Sequence, residues 1–268
     1  MVSLLARFEK KLRSDGMVSA AAATIQFGIR KVASSGTDLY FDLMAKRNSP
    51  IEYCGVLIPT KHTIFNRKIR TRFTRGTYER EEILALDKHL PENYDVVDLG
   101  ASTGLTSAYS ERRVDSKRKV IAVEANPHLV SLIEEVKSLN GAQFLLDNRA
   151  YHSTSEEVDF HIHELSVGGS VQRQTRNKVK IRALSLEQLF NQYDLESATV
   201  ICDIEGGEVD LIKNELDFLC QRCPLFIVEI HRFAPGINEV EGILRNSKLE
   251  LLEKIGSIMI YQNPNFSS

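Results

Sequence analysis

From Tyr78 onward, short apolar runs alternate with longer stretches whose apolar residues recur at helical spacing. This alternation limits the fold more than any other feature of the sequence. Strands are expected at Tyr94–Leu99, Lys119–Glu124, Ala142–Leu146, Val158–His163, Val179–Leu184, Thr199–Asp203 and Leu225–His231. Helices are expected over Tyr78–His89, Pro127–Leu139, Ser185–Tyr193, Glu208–Phe218 and Gly236–Arg245. Such an order is satisfied by a largely parallel sheet with helices on both faces, the α/β class. Leu249–Glu253 and Ser257–Tyr261, joined by the short turn Lys254-Ile-Gly256, read as a closing antiparallel pair.

The first third is organised differently. Helical spacing recurs over Leu4–Arg13 and Met17–Val32, Ser34-Ser-Gly-Thr37 interrupts it, and Ile51–Pro59 reads as a strand and turn or a hairpin. The basic segment Lys61–Arg75 follows. A solvated face explains it, and so would contact of Arg70, Arg72 and Arg75 with an anionic acceptor or a glycan phosphate. At 268 residues the chain has room for one large domain with an arm. We therefore divide it into a helical or lid extension, residues 1–75, and a ligand-binding domain, residues 76–268. The N-terminal helices are also a candidate surface for self-association.

Composition removes several functions. Hydrophobic residues make up 43% and charged residues 26%, as in globular proteins. A formal charge of −2 gives no bulk attraction to phosphate backbones, so nucleic acid is not an expected partner. No apolar run approaches the roughly 18 residues of a membrane span. Met1–Gly16 is charged and amphipathic with no apolar leader core, and a cytoplasmic location is expected. Cys220-Gln-Arg-Cys223 has CxxC spacing, but no second pair completes a zinc site.

In an open α/β sheet, ligands lie beyond the carboxyl ends of the strands where strand order reverses. The first strand–turn–helix here carries Asp98-Leu-Gly-Ala-Ser-Thr-Gly104. Gly100 permits a sharp bend and Gly104 a helix start close to the sheet. The spacing is GxxxG after an acid. It differs from the GxGxxG that cradles pyrophosphate in dinucleotide enzymes, and Asp98 suits a cationic ligand. Glu124, ending the second strand, is placed to accept both ribose hydroxyls of an adenosine. Asn126-Pro127 opens the next helix, and Asp147-Asn148 follows the third strand where an adenine amino group would need an acceptor.

These residues resemble the FkbM family of S-adenosylmethionine-dependent methyltransferases over roughly Gly76–His231. The motifs run in order: Gly76-Thr-Tyr78-Glu79, then Val96-Val-Asp98-Leu-Gly100-Ala-Ser-Thr-Gly104, Val123-Glu124-Ala-Asn126-Pro127 and Asn148-Arg-Ala150. Ile201-Cys-Asp203-Ile-Glu205-Gly206-Gly207-Glu208, the most specific, and Val228-Glu229-Ile-His231 complete them. Ser102-Thr103 departs from the pattern, and residues 1–75 match no motif. The resemblance implies a Rossmann-like class I methyltransferase fold, with a mostly parallel seven-stranded sheet and a C-terminal antiparallel strand. It implies S-adenosylmethionine held by Glu79, Asp98, Gly100, Ser102, Gly104, Glu124, Asn126, Asn148 and Asp203. It also implies O-methylation of a hydroxyl, often on a sugar, glycan or secondary metabolite.

Methyl transfer from a sulfonium needs an aligned nucleophile and, for a hydroxyl, an acceptor for its proton. Neighbouring fourth and fifth strands would bring Asp203 near Glu229 and His231, so Asp203, Glu205 and His231 are the base candidates. Glu205 and Glu208 have a structural alternative, favouring the positive end of a helix. So many carboxylates could also hold Mg²⁺, although no spacing requires a metal. His161, His163 and Glu164 read as one face of a ribbon rather than a metal site.

Overall fold

The computed structural model describes residues 37–162, 169–170, 178–231, 233 and 236–266. The helices expected at Leu4–Arg13 and Met17–Val32, with the surface they offered for self-association, lie outside these residues. So do His163 and Glu164.

The centre of the molecule is a seven-stranded sheet of β3 (Asp95–Leu99), β4 (Val120–Val123), β5 (Leu145–Asp147), β10 (Ala198–Cys202), β11 (Leu225–Glu229), β12 (Glu250–Ile255) and β13 (Ile258–Gln262), in the order β12-β13-β11-β10-β3-β4-β5. Pairings among β5, β4, β3, β10 and β11 are parallel. β13 runs antiparallel to both β11 and β12. This is the Rossmann-like class I methyltransferase architecture expected. The chain enters at β3, builds outward to β5, then returns to β10 on the other side of β3. Strand order thus reverses between β3 and β10, and a cleft opens at their carboxyl ends.

Side chains alternate across each strand and so feed two cores. Val96, Ala122 and Ile201 face one, with helices Arg80–His89, Leu105–Glu111 and Val130–Asn140. Val97, Ile121, Val200 and Phe226 face the other, with helices Leu186–Tyr193, Glu208–Asn214, Leu216–Arg222 and Ile237–Arg245. Residues 37–75 do not stand apart. A hairpin of β1 (Ile51–Tyr53) and β2 (Val56–Ile58), the helix Arg67–Thr74 and the connection between them put Val56, Ile58, Phe73 and Phe65 into the first core. A helix over residues 37–47 precedes them.

Three features depart from expectation. The runs Val158–His163 and Val179–Leu184 leave the central sheet as β7 (Glu157–Ile162) and β9 (Lys178–Leu184). With β6 (Ala150–Tyr151) and β8 (Gly169–Ser170) they form a second sheet, ordered β6-β9-β7-β8. The helix expected over Glu208–Phe218 breaks at Glu215, which has φ −124° and ψ 18°. The Glu215 carboxylate accepts from the Tyr151 hydroxyl at 2.7 Å and from the first-turn N–H groups of Leu186 and Glu187 at 3.0 and 3.1 Å, and so caps another helix. Finally, β11 ends at Glu229, which leaves His231 in the following loop.

Candidate active site

The turn after β3 shows why its glycines are glycines. Gly100 has φ +95°, and a Cβ there would strike the backbone carbonyl oxygen of Asp203. That approach follows from the pairing of β3 with β10: Asp203 N–H donates to Leu99 C=O at 2.9 Å. Gly100 is therefore required by the neighbouring strand, and the same contact brings Asp203 beside the turn. Gly104 has φ +78°, and a Cβ would press on Ile133 of the helix Val130–Asn140 at 3.3 Å.

Glu124, at the end of β4, is buried and binds the turn directly. One carboxylate oxygen accepts from Ser102 N–H and the other from Asn126 N–H, both at 2.7 Å. Burial raises its pKa to about 7 against these two bonds. Each oxygen keeps a lone pair for a further donor.

A second acidic group lies under the turn. Gly76–Glu79 is anchored by Tyr78, whose ring stacks on Phe73 at 4.1 Å and whose hydroxyl meets Ser102 at 3.2 Å. Glu79 then enters the cavity with the Thr106 hydroxyl 3.3 Å away, and the same hydroxyl lies 3.2 Å from Glu82. Burial, with the charge of Asp98, lifts Glu79 to about 7; burial, with Glu79 and Asp203 nearby, raises Glu82 well above the ordinary range. Asp98 is buried and turned away from the cavity, accepting from the Ser107 hydroxyl at 2.5 Å, and burial raises it to about 6. The Arg72 charge near Glu79 does not offset the burial of that carboxyl.

The third group spans β10, the turn after it and the loop after β11. Fully buried Glu208 lies 2.8 Å from His231 Nδ1. His231 Nε2 lies 3.7 Å from Asp203 and 3.9 Å from Glu205. Burial alone would lower the His231 pKa, but the hydrogen bond and charge of Glu208, with the charges of Asp203 and Glu205, raise it to about 9. Burial, with Glu229 nearby, raises Asp203 well above its ordinary value. Glu79, Ser102 and Glu205 all have φ between 44° and 50°, a backbone region that non-glycine residues rarely occupy and that clusters at functional sites.

All three groups meet one cavity of about 620 Å³, within the usual range for a small-molecule site. Of the residues expected from sequence, Glu79, Gly100, Ser102, Glu124, Asp203, Glu205 and His231 line it. Asp98, Gly104, Asn126 and Asn148 stand behind the wall: Asn126 caps the turn after β4, and Asn148 donates to Glu124 C=O at 2.6 Å. Asp147 is taken up by Arg149 and the Tyr193 hydroxyl, at 2.7 and 2.9 Å. Arg70 is buried against Asp42, and Arg75 pairs with Asp38; Arg72 lines the cavity, 5.0 Å from the centre of the Tyr78 ring. Glu82 and Glu208 were not among the expected site residues. Glu82 is three residues from Glu79 at the start of one helix, a spacing that puts both on one face. Nothing local in the sequence pairs Glu208 with His231.

The family model described as the methyltransferase FkbM domain matches residues 98–251. No curated protein matches the chain. Solved structures with similar folds include a ribosomal protein L11 methylase from Lactobacillus delbrueckii subsp. bulgaricus, at 11% identity and TM-score 0.40, covering 69% of this chain and 77% of that one. They also include a precorrin-6y C5,15-methyltransferase from Geobacter metallireducens, at 10% identity and TM-score 0.41, covering 71% and 88%. An S-adenosylmethionine-dependent methyltransferase from Aquifex aeolicus matches at 14% identity and TM-score 0.37, covering 68% and 89%.

Proposed function

This chain belongs to the FkbM methyltransferase family and is an S-adenosylmethionine-dependent methyltransferase, and on that premise we propose that it methylates a hydroxyl of a sugar, glycan or secondary metabolite. The observation that carries this reading is the convergence of Asp203, Glu205 and His231 on the same cavity as the glycine turn and Glu124. A hydroxyl is the acceptor that needs such a group, because its proton must leave as the oxygen attacks.

The cofactor fits the chemistry of the walls. Glu79, Glu82, Glu124 and Asp203 are carboxyls whose pKa is raised mainly by burial, and a ligand bearing sulfonium and ammonium charges would offset that burial. Glu124 would hold the ribose hydroxyls through its remaining lone pairs, with Gly100 and Ser102 forming the floor. Glu79 and Glu82 would face the methionine ammonium, and Asp98 would support the turn from behind. When bound, the cofactor supplies an electrophilic methyl group on sulfur. The residues of this wall would hold the acceptor hydroxyl, and one of its carboxylates would take the hydroxyl proton. Glu205 is the most open candidate, its side chain 37% exposed against 27% for Asp203 and 17% for His231, and we assign it as the proton acceptor. Asp203 and His231 then position the acceptor oxygen.

Arg72 extends this cavity from the arm, so we retain residues 1–75 as a lid that helps select the acceptor and 76–268 as the catalytic unit. Among the described residues no helix is long and apolar enough to cross a membrane. The four cysteines are unpaired, which supports a reducing, cytoplasmic setting. Replacing Glu205 by Gln should lower methyl transfer by roughly 10²–10⁴-fold, the usual worth of a general base, with calorimetric S-adenosylmethionine binding retained. Loss of binding together with activity would assign Glu205 a structural job.

A further inference from the structure

We propose that Asp203, Glu208 and His231 form a binding site for one divalent transition-metal ion at the wall of this cavity. Each offers a ligand atom, and the three atoms lie within 4.8 Å of one another. They come from three places in the fold: the end of β10, the first turn of helix Glu208–Asn214 and the loop after β11.

An independent observation points to a cation. Glu208 is 0% exposed, and its Oε2 has no hydrogen-bond partner; Asp203 Oδ1 is likewise a buried atom that accepts no hydrogen bond, with His231 Nε2 3.7 Å away. Removing a carboxylate oxygen from water without a donor is costly. Two such oxygens beside one imidazole are what a bound cation would satisfy together. The donor set narrows its identity. One imidazole nitrogen with two carboxylates suits Mn²⁺ or Zn²⁺, whereas Ca²⁺ takes oxygen ligands alone and Mg²⁺ retains most of its waters. Asp203 lines the cavity, so a ligand position on the ion would be reachable from the acceptor side. A hydroxyl oxygen bound there would lose its proton more readily, with Glu205 as the acceptor of that proton. This consequence rests on the hydroxyl-methylation reading, but the binding of the ion does not.

The test uses the full chain, stripped with chelator and titrated with MnCl₂ alone, with binding followed by calorimetry and by loss of the free Mn²⁺ resonance signal. One ion per chain is expected, with an accompanying rise in thermal midpoint. Glu208→Gln and His231→Ala should each weaken binding by at least about tenfold. Asp203→Asn serves if either of these fails to fold. The ZnCl₂ titration, followed by calorimetry, runs in parallel, and S-adenosylmethionine binding is measured on every sample. A folded protein that binds S-adenosylmethionine but neither ion saturably would overturn the proposal. Ion binding unchanged in all folded variants would overturn it as well. Ion binding without S-adenosylmethionine binding would instead overturn the cofactor reading and leave this one standing.

Discussion

The Glu124 carboxylate accepts two backbone N–H groups, yet burial pushes its pKa to about 7 from an ordinary 4.5. Its proton is therefore held more tightly in the folded chain than in the unfolded one. The resulting stability is fully present below about pH 4.5 and is lost as pH rises through about 7, on the order of 3 kcal/mol for this group. Glu79, lifted to about 7, and Asp98, lifted to about 6, add slopes of the same sign. The thermal midpoint of the cofactor-free protein should fall between pH 5 and 7.5, and Glu124→Gln should flatten part of that fall. A wild-type midpoint that rises over this range would contradict the assignment. On the proposed placement of the ribose on Glu124, cofactor affinity should move the opposite way and strengthen up to about pH 7, since only an ionised carboxylate offers acceptors to both hydroxyls. A residue's place at the cavity was legible in the sequence where it depended on a strand end, as at Glu124 and Asp203. It was not legible where a partner arrives from a distant element: Ser107 turns Asp98 inward, Asp42 takes Arg70, and His231 claims Glu208.

At the scale of elements, the turn after β3 and the end of β10 act as one unit, because Gly100 sits against the Asp203 carbonyl. Gly100→Ala combines a strained backbone with a backbone clash and should destabilise the fold by more than about 1–3 kcal/mol. It should also impair cofactor binding in whatever protein folds, as measured by denaturant titration and calorimetry. A variant with wild-type stability would mean that the two strands can separate cheaply. The strands of the central sheet were readable because fully buried parallel strands are continuous apolar runs. β7 and β9 instead alternate apolar with charged or polar residues, as half-exposed strands do, but that they pair with each other and not with the central sheet is set by contacts no local pattern shows. The break at Glu215 was equally hidden, for it depends on Tyr151 and the helix starting at Leu186, 64 and 29 residues away in sequence.

Across the whole molecule, one side of the sheet's carboxyl end gathers acidic groups from the segment before β3, from β4 and from β10, with Arg72 brought over them by the arm. The class of the molecule follows from its alternating pattern and glycine turn, while the arrival of Arg72 at the cavity depends on how residues 37–75 pack onto the first core. The most direct test is calorimetric titration of S-adenosylmethionine into the wild-type chain and into Glu124→Gln. The expected result is one binding site per chain, weakened by about tenfold or more in the variant through loss of charge-assisted hydrogen bonds worth roughly 1.5–3 kcal/mol each. Equal affinity in a correctly folded variant would contradict the placement of the cofactor on Glu124.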